Sequence, residues 1–242
     1  MVLMFLPASA FAADDQQVRV GYTWLGSATR SVACGEGTAE YDPDTKTLTL
    51  TKATINHDYN AAIWNTVEGL TIELVGENSI NSGEQTGILS MQGCGLLTLT
   101  GDGSLKITVT EGNAIYVNDG SLLIKDTTVK VSSGASNACA VFADKGIEIS
   151  GSTLESAIAN GNAIYTPGDL KIENSNVTTN SAGNLPAIWS DSDITINGGQ
   201  LKSTGIGSDA LGAIGTLSIT DCTVENEGGY TALYSGGKMT LT

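Results

Sequence analysis

Hydrophobic and polar residues alternate in short runs along most of this chain, and the runs recur at a nearly constant interval. The motif is clearest in residues 162–177, where small, aliphatic and aromatic residues are followed by a Leu-x-Ile pair and then a valine. Its aliphatic position recurs eight times, at spacings of 22 to 27 residues, as Ile63, Ile88, Ile115, Val141, Ile164, Ile188, Leu211 and Leu233. A repeat of this length is typical of a solenoid, in which each repeat forms one coil.

Each repeat contains three apolar alternations separated by Gly, Asn, Asp and Ser, and no segment follows a helical period. Alternation with a period of two, in runs rich in Thr, Val and Ile, predicts β-strands. We therefore predict an all-β fold, a right-handed single-stranded parallel β-helix of about eight to nine coils with three short strands each. It would occupy residues 47–242, with the aliphatic columns facing inward.

The period is absent before residue 47, although residues 18–20 alternate and residues 41–46 contain a proline turn. A solenoid leaves unpaired backbone at its end, so a terminal unit of different sequence is expected there. We predict an N-terminal β cap over residues 13–46. At the other end, the last coil has only two strands. We therefore expect the β-helix to be truncated at its C-terminus and the full-length protein to contain further coils or an anchor module.

Residues 1–12 contain an apolar run followed by Ala10-Phe11-Ala12, a small-x-small cleavage pattern. These features predict a signal peptide whose charged n-region is missing, with a mature chain that begins at Ala13; a short buried N-terminal strand is the alternative. The expected location is secreted or extracellular, with or without attachment to the cell surface.

The net charge and the spacing of the cysteines argue against several classes of partner and site. With 26 acidic and 11 basic residues the formal charge is −15, which argues against nucleic acid or an anionic membrane as partner. No later stretch approaches the roughly 20 apolar residues that span a bilayer, so membrane insertion is not expected. The four cysteines lack metal-ligand spacing, and we expect them to be buried thiols. A disulfide bond that involves Cys34 is the alternative.

Three sequence segments, in this order, resemble those of a known family: residues 41–50, residues 70–80 and residues 97–105. They are followed by coils with the sequence Ala, Ile, aromatic. Over residues 37–242 the chain resembles secreted right-handed β-helix proteins of anaerobic gut bacteria. These are often labelled carbohydrate-binding domain-containing surface proteins, and their architecture is similar to pectin-lyase-like solenoids. The resemblance implies an extracellular, modular and non-catalytic role, and it brings no catalytic residues with it.

The position after each central aliphatic residue is aromatic in six of eight repeats. We expect these side chains to point outward, on the same face as the small residues that precede the aliphatic ones, and to form an aromatic strip beside a shallow groove. Sugar rings present apolar faces that stack on aromatic rings, so the strip predicts a polysaccharide site; the alternative is a ladder that only stabilises the sheet. The predicted ligand-binding residues are Trp64, Tyr116, Phe142, Tyr165, Trp189 and Tyr234.

A polysaccharide-active enzyme, either a lyase or a glycoside hydrolase, is the alternative function. The bases that a lyase needs are scarce: Arg19 and Arg30 lie in the cap, and the sole histidine, His57, is expected at the surface of the first coil. Lys145 and Lys171 are further candidates.

A hydrolase needs two carboxylates, and Asp169 and Asp193 occupy equivalent positions in adjacent repeats, where they could act as a catalytic pair or bind Ca²⁺. Asp is also common at coil corners because it forms turns. Our prediction is therefore a non-catalytic extracellular module without a metal or cofactor, which binds polysaccharide or glycan or serves as an adhesin-like scaffold.

Overall fold

The computed structural model describes residues 17–83 and 86–242, which fold as a stack of parallel β coils with no helix in either range. The coils form a β-solenoid of about eight turns. The predicted all-β parallel solenoid is therefore confirmed. The predicted signal peptide, with its cleavage site and Ala13, lies outside the described residues.

The strands are given in chain order. The first four are β1 (Val18–Val20), β2 (Thr23–Leu25), β3 (Ser31–Cys34) and β4 (Gly37–Asp42). The next nine are β5 (Thr47–Thr51), β6 (Thr54–His57), β7 (Ile63–Asn65), β8 (Thr71–Val75), β9 (Glu77–Ser82), β10 (Ile88–Ser90), β11 (Leu96–Thr100), β12 (Ser104–Val109) and β13 (Ile115–Val117). The remaining strands are β14 (Ser121–Lys125), β15 (Thr128–Ala143), β16 (Gly146–Ser150), β17 (Thr153–Thr166), β18 (Asp169–Ser181), β19 (Ile188–Ser190), β20 (Ile194–Gly205), β21 (Leu211–Ala213), β22 (Leu217–Thr220), β23 (Thr223–Gly228), β24 (Leu233–Ser235) and β25 (Met239–Leu241).

Each coil contributes one strand to each of three parallel faces. The first face contains β7, β10, β13, the ends of β15 and β17, and then β19, β21 and β24. The second contains β5, β8, β11, β14, β16, the starts of β18 and β20, β22 and β25. The third contains β6, β9, β12, the starts of β15 and β17, the later parts of β18 and β20, and β23.

The predicted aliphatic column runs in register through the first face. Ile63 pairs with Ile88, and the pairing continues coil by coil to Leu233. Every member except Leu233 is fully buried. Burying one such side chain contributes about 1.5–3 kcal/mol before conformational entropy is subtracted, so these stacks form the core.

The column of small residues was predicted to face outward, and this prediction is wrong. Ala62, Ala114, Ala163 and their equivalents in other coils are buried, apart from the residue in the last coil. In most coils this residue lies at a bend just before the strand of the first face, where the alternation of a strand does not apply; in β15 and β17 it lies within the strand and is buried as well. The column is small because it is crowded: a methyl group added to Gly87 would lie 2.5 Å from Cγ2 of Ile107.

Antiparallel strands cover the N-terminal end of the solenoid. Strand β1 pairs with β2 and with β7 of the first coil, whereas β4 pairs with β3 and with β5. The four cysteines are free; Cys34 and Cys94 are buried, and Cys139 and Cys222 are half-buried. No described helix could cross a membrane.

Candidate functional site

The six predicted ligand-binding residues lie in one outward column on the first face. Backbone pairing places the eight positions after the central aliphatic residues in register from Trp64 to Tyr234. Successive coils lie about 4.8 Å apart, so neighbouring side chains are in reach of each other. We call this set the aromatic column: Trp64, Leu89, Tyr116, Phe142, Tyr165, Trp189, Gly212 and Tyr234.

The cap extends the aromatic column by two positions that the sequence did not reveal. Arg19 of β1 lies opposite both Trp64 of β7 and Trp24 of β2. Its guanidinium carbon is 5.0 Å from the centroid of the Trp64 ring and 5.8 Å from that of Trp24, within the range of cation–π attraction. The alternation around Arg19 and Trp24 was visible in the sequence, but the antiparallel register that brings them to Trp64 was not.

In the middle of the column the rings stack on one another. The centroids of Tyr116 and Phe142 are 4.9 Å apart with an interplanar angle of 13°, and Phe142 and Tyr165 are 5.5 Å apart at 51°. A separation of 4.9 Å is too short for two rings that lie side by side in one plane, so Tyr116 and Phe142 stack face to face. Such contacts contribute about 0.5–1.5 kcal/mol beyond burial, and they leave ring edges toward solvent.

At the far end Trp189 fills the gap that Gly212 leaves in the column. A methyl group at Gly212 would collide with the six-membered ring of Trp189. The indole passes over this position and stacks on Tyr234, with centroids 5.6 Å apart and an interplanar angle of 19°. Tyr234 is 42% exposed, so this end of the column is open to solvent.

A carboxylate joins the middle of the column to its far end. Asp191 accepts hydrogen bonds from the Tyr165 hydroxyl at 2.7 Å and from Nε1 of Trp189 at 2.8 Å. Burial, and then the hydrogen bond to Asp191, raises the pKa of Tyr165 to about 12. Sequence reasoning missed Asp191, because its position two residues after a tryptophan carries no recognisable motif.

Asp169 and Asp193 lie in adjacent coils as predicted, since the residues that follow them are paired in register. Each carboxylate, however, binds the next coil. Asp169 Oδ1 accepts from Oγ of Ser192 at 2.5 Å, and Asp193 Oδ1 accepts from the Thr216 amide at 2.7 Å. The hydrogen bonds from Thr216 lower the pKa of Asp193, which is the opposite of what a general acid requires. Residues 17–83 and 86–242 contain no cluster of three or more potential His, Cys, Asp or Glu metal ligands.

The candidate bases are also engaged or buried. His57 is 1% exposed, so its predicted place at the surface is wrong: it lies on the inward face of β6, two residues after buried Ile55, and the Tyr22 ring contacts it edge-on at 4.5 Å. Burial is the main cause that lowers the pKa of His57. Lys145 pairs with Asp119 at 2.7 Å. A hydrogen bond to Glu173 raises the pKa of Lys171, which keeps its amine protonated.

Comparisons of the chain with protein-family models, with curated proteins and with solved structures find no match. The arrangement of side chains in the aromatic column and its surroundings is therefore the basis on which a function is proposed.

Proposed function

We propose that this protein is an extracellular, non-catalytic module that binds polysaccharide along the aromatic column and so acts as a surface scaffold. The observation that carries the proposal is the continuity of the column, which runs through ten strands from Trp24 to Tyr234. At the usual strand spacing this is about 43 Å, a length that suits an extended ligand. The predicted export signal and the resemblance to secreted gut-bacterial proteins support the extracellular location.

The ring contacts indicate which parts of the column would bind. Tyr116 and Phe142 stack on each other, so their faces are partly occupied, and they contribute mainly to stability. Trp64 adjoins Leu89 rather than another ring on one side, and Trp189 leans over Gly212 and stacks one face on Tyr234. Sugar C–H faces pack on aromatic faces, so these two indoles are the expected main contacts.

Affinity electrophoresis through gels that contain soluble plant or mucin polysaccharides tests the proposal. We expect at least one polysaccharide to retard the parent protein, and Trp64→Ala and Trp189→Ala to reduce the retardation. Leu123→Ala is the matched control, because Leu123 is a half-buried apolar side chain on the second face. If the tryptophan variants and the parent are retarded equally, the column is only a stabilising ladder.

A further inference from the structure

The two arginines of the cap differ in how their charge is neutralised. Arg30 pairs with Asp42 at 3.5 Å. Arg19 has no carboxylate within ion-pair distance among residues 17–83 and 86–242. One nitrogen of its guanidinium donates to the carbonyl of Ala61 at 3.0 Å, and its buried Nε meets no acceptor. In a chain with 26 acidic residues, an arginine without an acidic partner stands out.

Three exposed aromatic residues lie in the chain segments next to this arginine. Tyr22 is 77% exposed, Tyr59 is 68% exposed and Trp24 is 41% exposed. Tyr22 lies in the turn that joins β1 to β2, and Tyr59 lies two residues before Ala61, whose carbonyl accepts the hydrogen bond from Arg19. Exposed aromatic groups clustered around a cation are typical of a binding surface rather than of an ordinary solvated face.

The indole rings also determine which part of Arg19 a ligand can reach. Trp24 and Trp64 flank the guanidinium from the two strands that pair with β1, so a ligand approaches it between or beside these two rings. Its terminal N–H groups that do not bind Ala61 are donors of the kind that bind carboxylate and sulfate oxygens. Because the two rings already hold the guanidinium in place, little side-chain entropy is lost when an anion binds.

We propose that this cap cluster, formed by Arg19, Tyr22, Trp24, Tyr59 and Trp64, binds an acidic sugar unit. The anionic group of that unit, a carboxylate or a sulfate ester, binds the terminal N–H groups of Arg19. The sugar ring packs on the exposed aromatic rings. This inference rests on the proposed function and adds to it a ligand class and the end of the column at which that unit binds.

The experiment compares charged polysaccharides with neutral forms of the same backbone by affinity electrophoresis. The pairs are polygalacturonate with its methyl ester, which tests a carboxylate, and dextran sulfate with dextran, which tests a sulfate. We expect the parent to bind the charged member of one pair more tightly. Arg19→Gln should weaken that binding on the order of tenfold, the usual effect of one charge-assisted hydrogen bond, and should leave the neutral member unaffected.

Arg30→Gln is the matched control, because it removes an equal charge from the cap away from the aromatic column. It should keep the preference for the charged polymer. Thermal unfolding checks that both variants are folded. If Arg19→Gln is unfolded, Arg19→Lys replaces it; this variant keeps a cation but loses the planar fork, and we expect several-fold weaker binding of the charged polymer.

The inference is overturned if charged and neutral polymers bind the parent equally, if Arg19→Gln and Arg30→Gln behave alike, or if Arg19→Lys binds as the parent does. Its failure is distinguishable from failure of the proposed function. If neutral polymers bind and Trp189→Ala weakens them, the proposed function stands and only the acidic subsite is wrong. If the parent binds no polysaccharide of either class, both are wrong.

Discussion

Gly212→Ala tests how the far end of the aromatic column is built. Trp189 and Tyr234 are two strand spacings apart, about 10 Å, yet their ring centroids are separated by only 5.6 Å because the indole leans over Gly212. A new methyl group would lie 2.6 Å from Cε3 of Trp189, so the ring must move away from Tyr234. Gly212 has no positive φ, and replacing such a glycine by alanine ordinarily stabilises a protein by about 0.4–1 kcal/mol.

Because the substitution displaces the stack of Trp189 on Tyr234, we expect Gly212→Ala to lower the free energy of unfolding instead of raising it. A double-mutant cycle with Trp189→Ala and Tyr234→Ala should give a coupling energy of about 0.5–1.5 kcal/mol in the parent, and a value near zero in the Gly212→Ala background. Urea unfolding followed by circular dichroism supplies the free energies, provided that the m-value is unchanged. The coupling between Tyr116 and Phe142 is the control and should stay constant. A full Trp189–Tyr234 coupling in the Gly212→Ala background would refute the reasoning.

Two further predictions concern stability. Ile164→Ala should lower the free energy of unfolding by about 2–5 kcal/mol, measured in urea, because Ile164 is fully buried between paired coils; a loss below about 1 kcal/mol would contradict the core assignment. Burial lowers the folded-state pKa of His57, so its contribution to stability is complete above its unfolded pKa of about 6.5 and is lost as the pH falls through the folded pKa. The parent should therefore lose stability relative to His57→Leu between about pH 8 and pH 5, and parallel pH profiles would contradict this.

The repeat pattern predicted the parts of the fold that depend on one coil contacting the next. The equivalence of Ile63, Ile88 and the later members of the column was readable because insertions at the corners change the length of a coil and leave its strand register intact. The same logic placed Tyr165 next to Trp189. Alternation alone determined which side chain points outward within a strand.

Contacts between the cap and the first coil were not readable in this way. His57 lies on the inward face of β6 with Ile55, so alternation accounts for its burial, but its contact with Tyr22 comes from the turn between β1 and β2, outside the repeat. The position of Arg19 between two indoles depends in the same way on the antiparallel pairing of β1. The prediction that the small residues point outward was wrong for a different reason: Ala62, for example, lies at a bend, where the period of a strand does not decide the direction of a side chain.

A ring that stabilises the sheet is packed on its neighbours, whereas a ring that binds a sugar needs a free face. In the aromatic column the central rings suit stabilisation and the rings toward the ends suit binding. A ring that contacts rings on both sides has little free face, as for Phe142, which stacks on Tyr116 and contacts the tilted ring of Tyr165. Toward the ends polar groups adjoin the rings: Arg19 in the cap and Asp191 beside Trp189. Opposite charges thus lie near the two ends of one apolar strip. A polysaccharide that followed the column would be oriented by these charges, because Arg19 favours an acidic unit and Asp191 favours a hydrogen-bond donor.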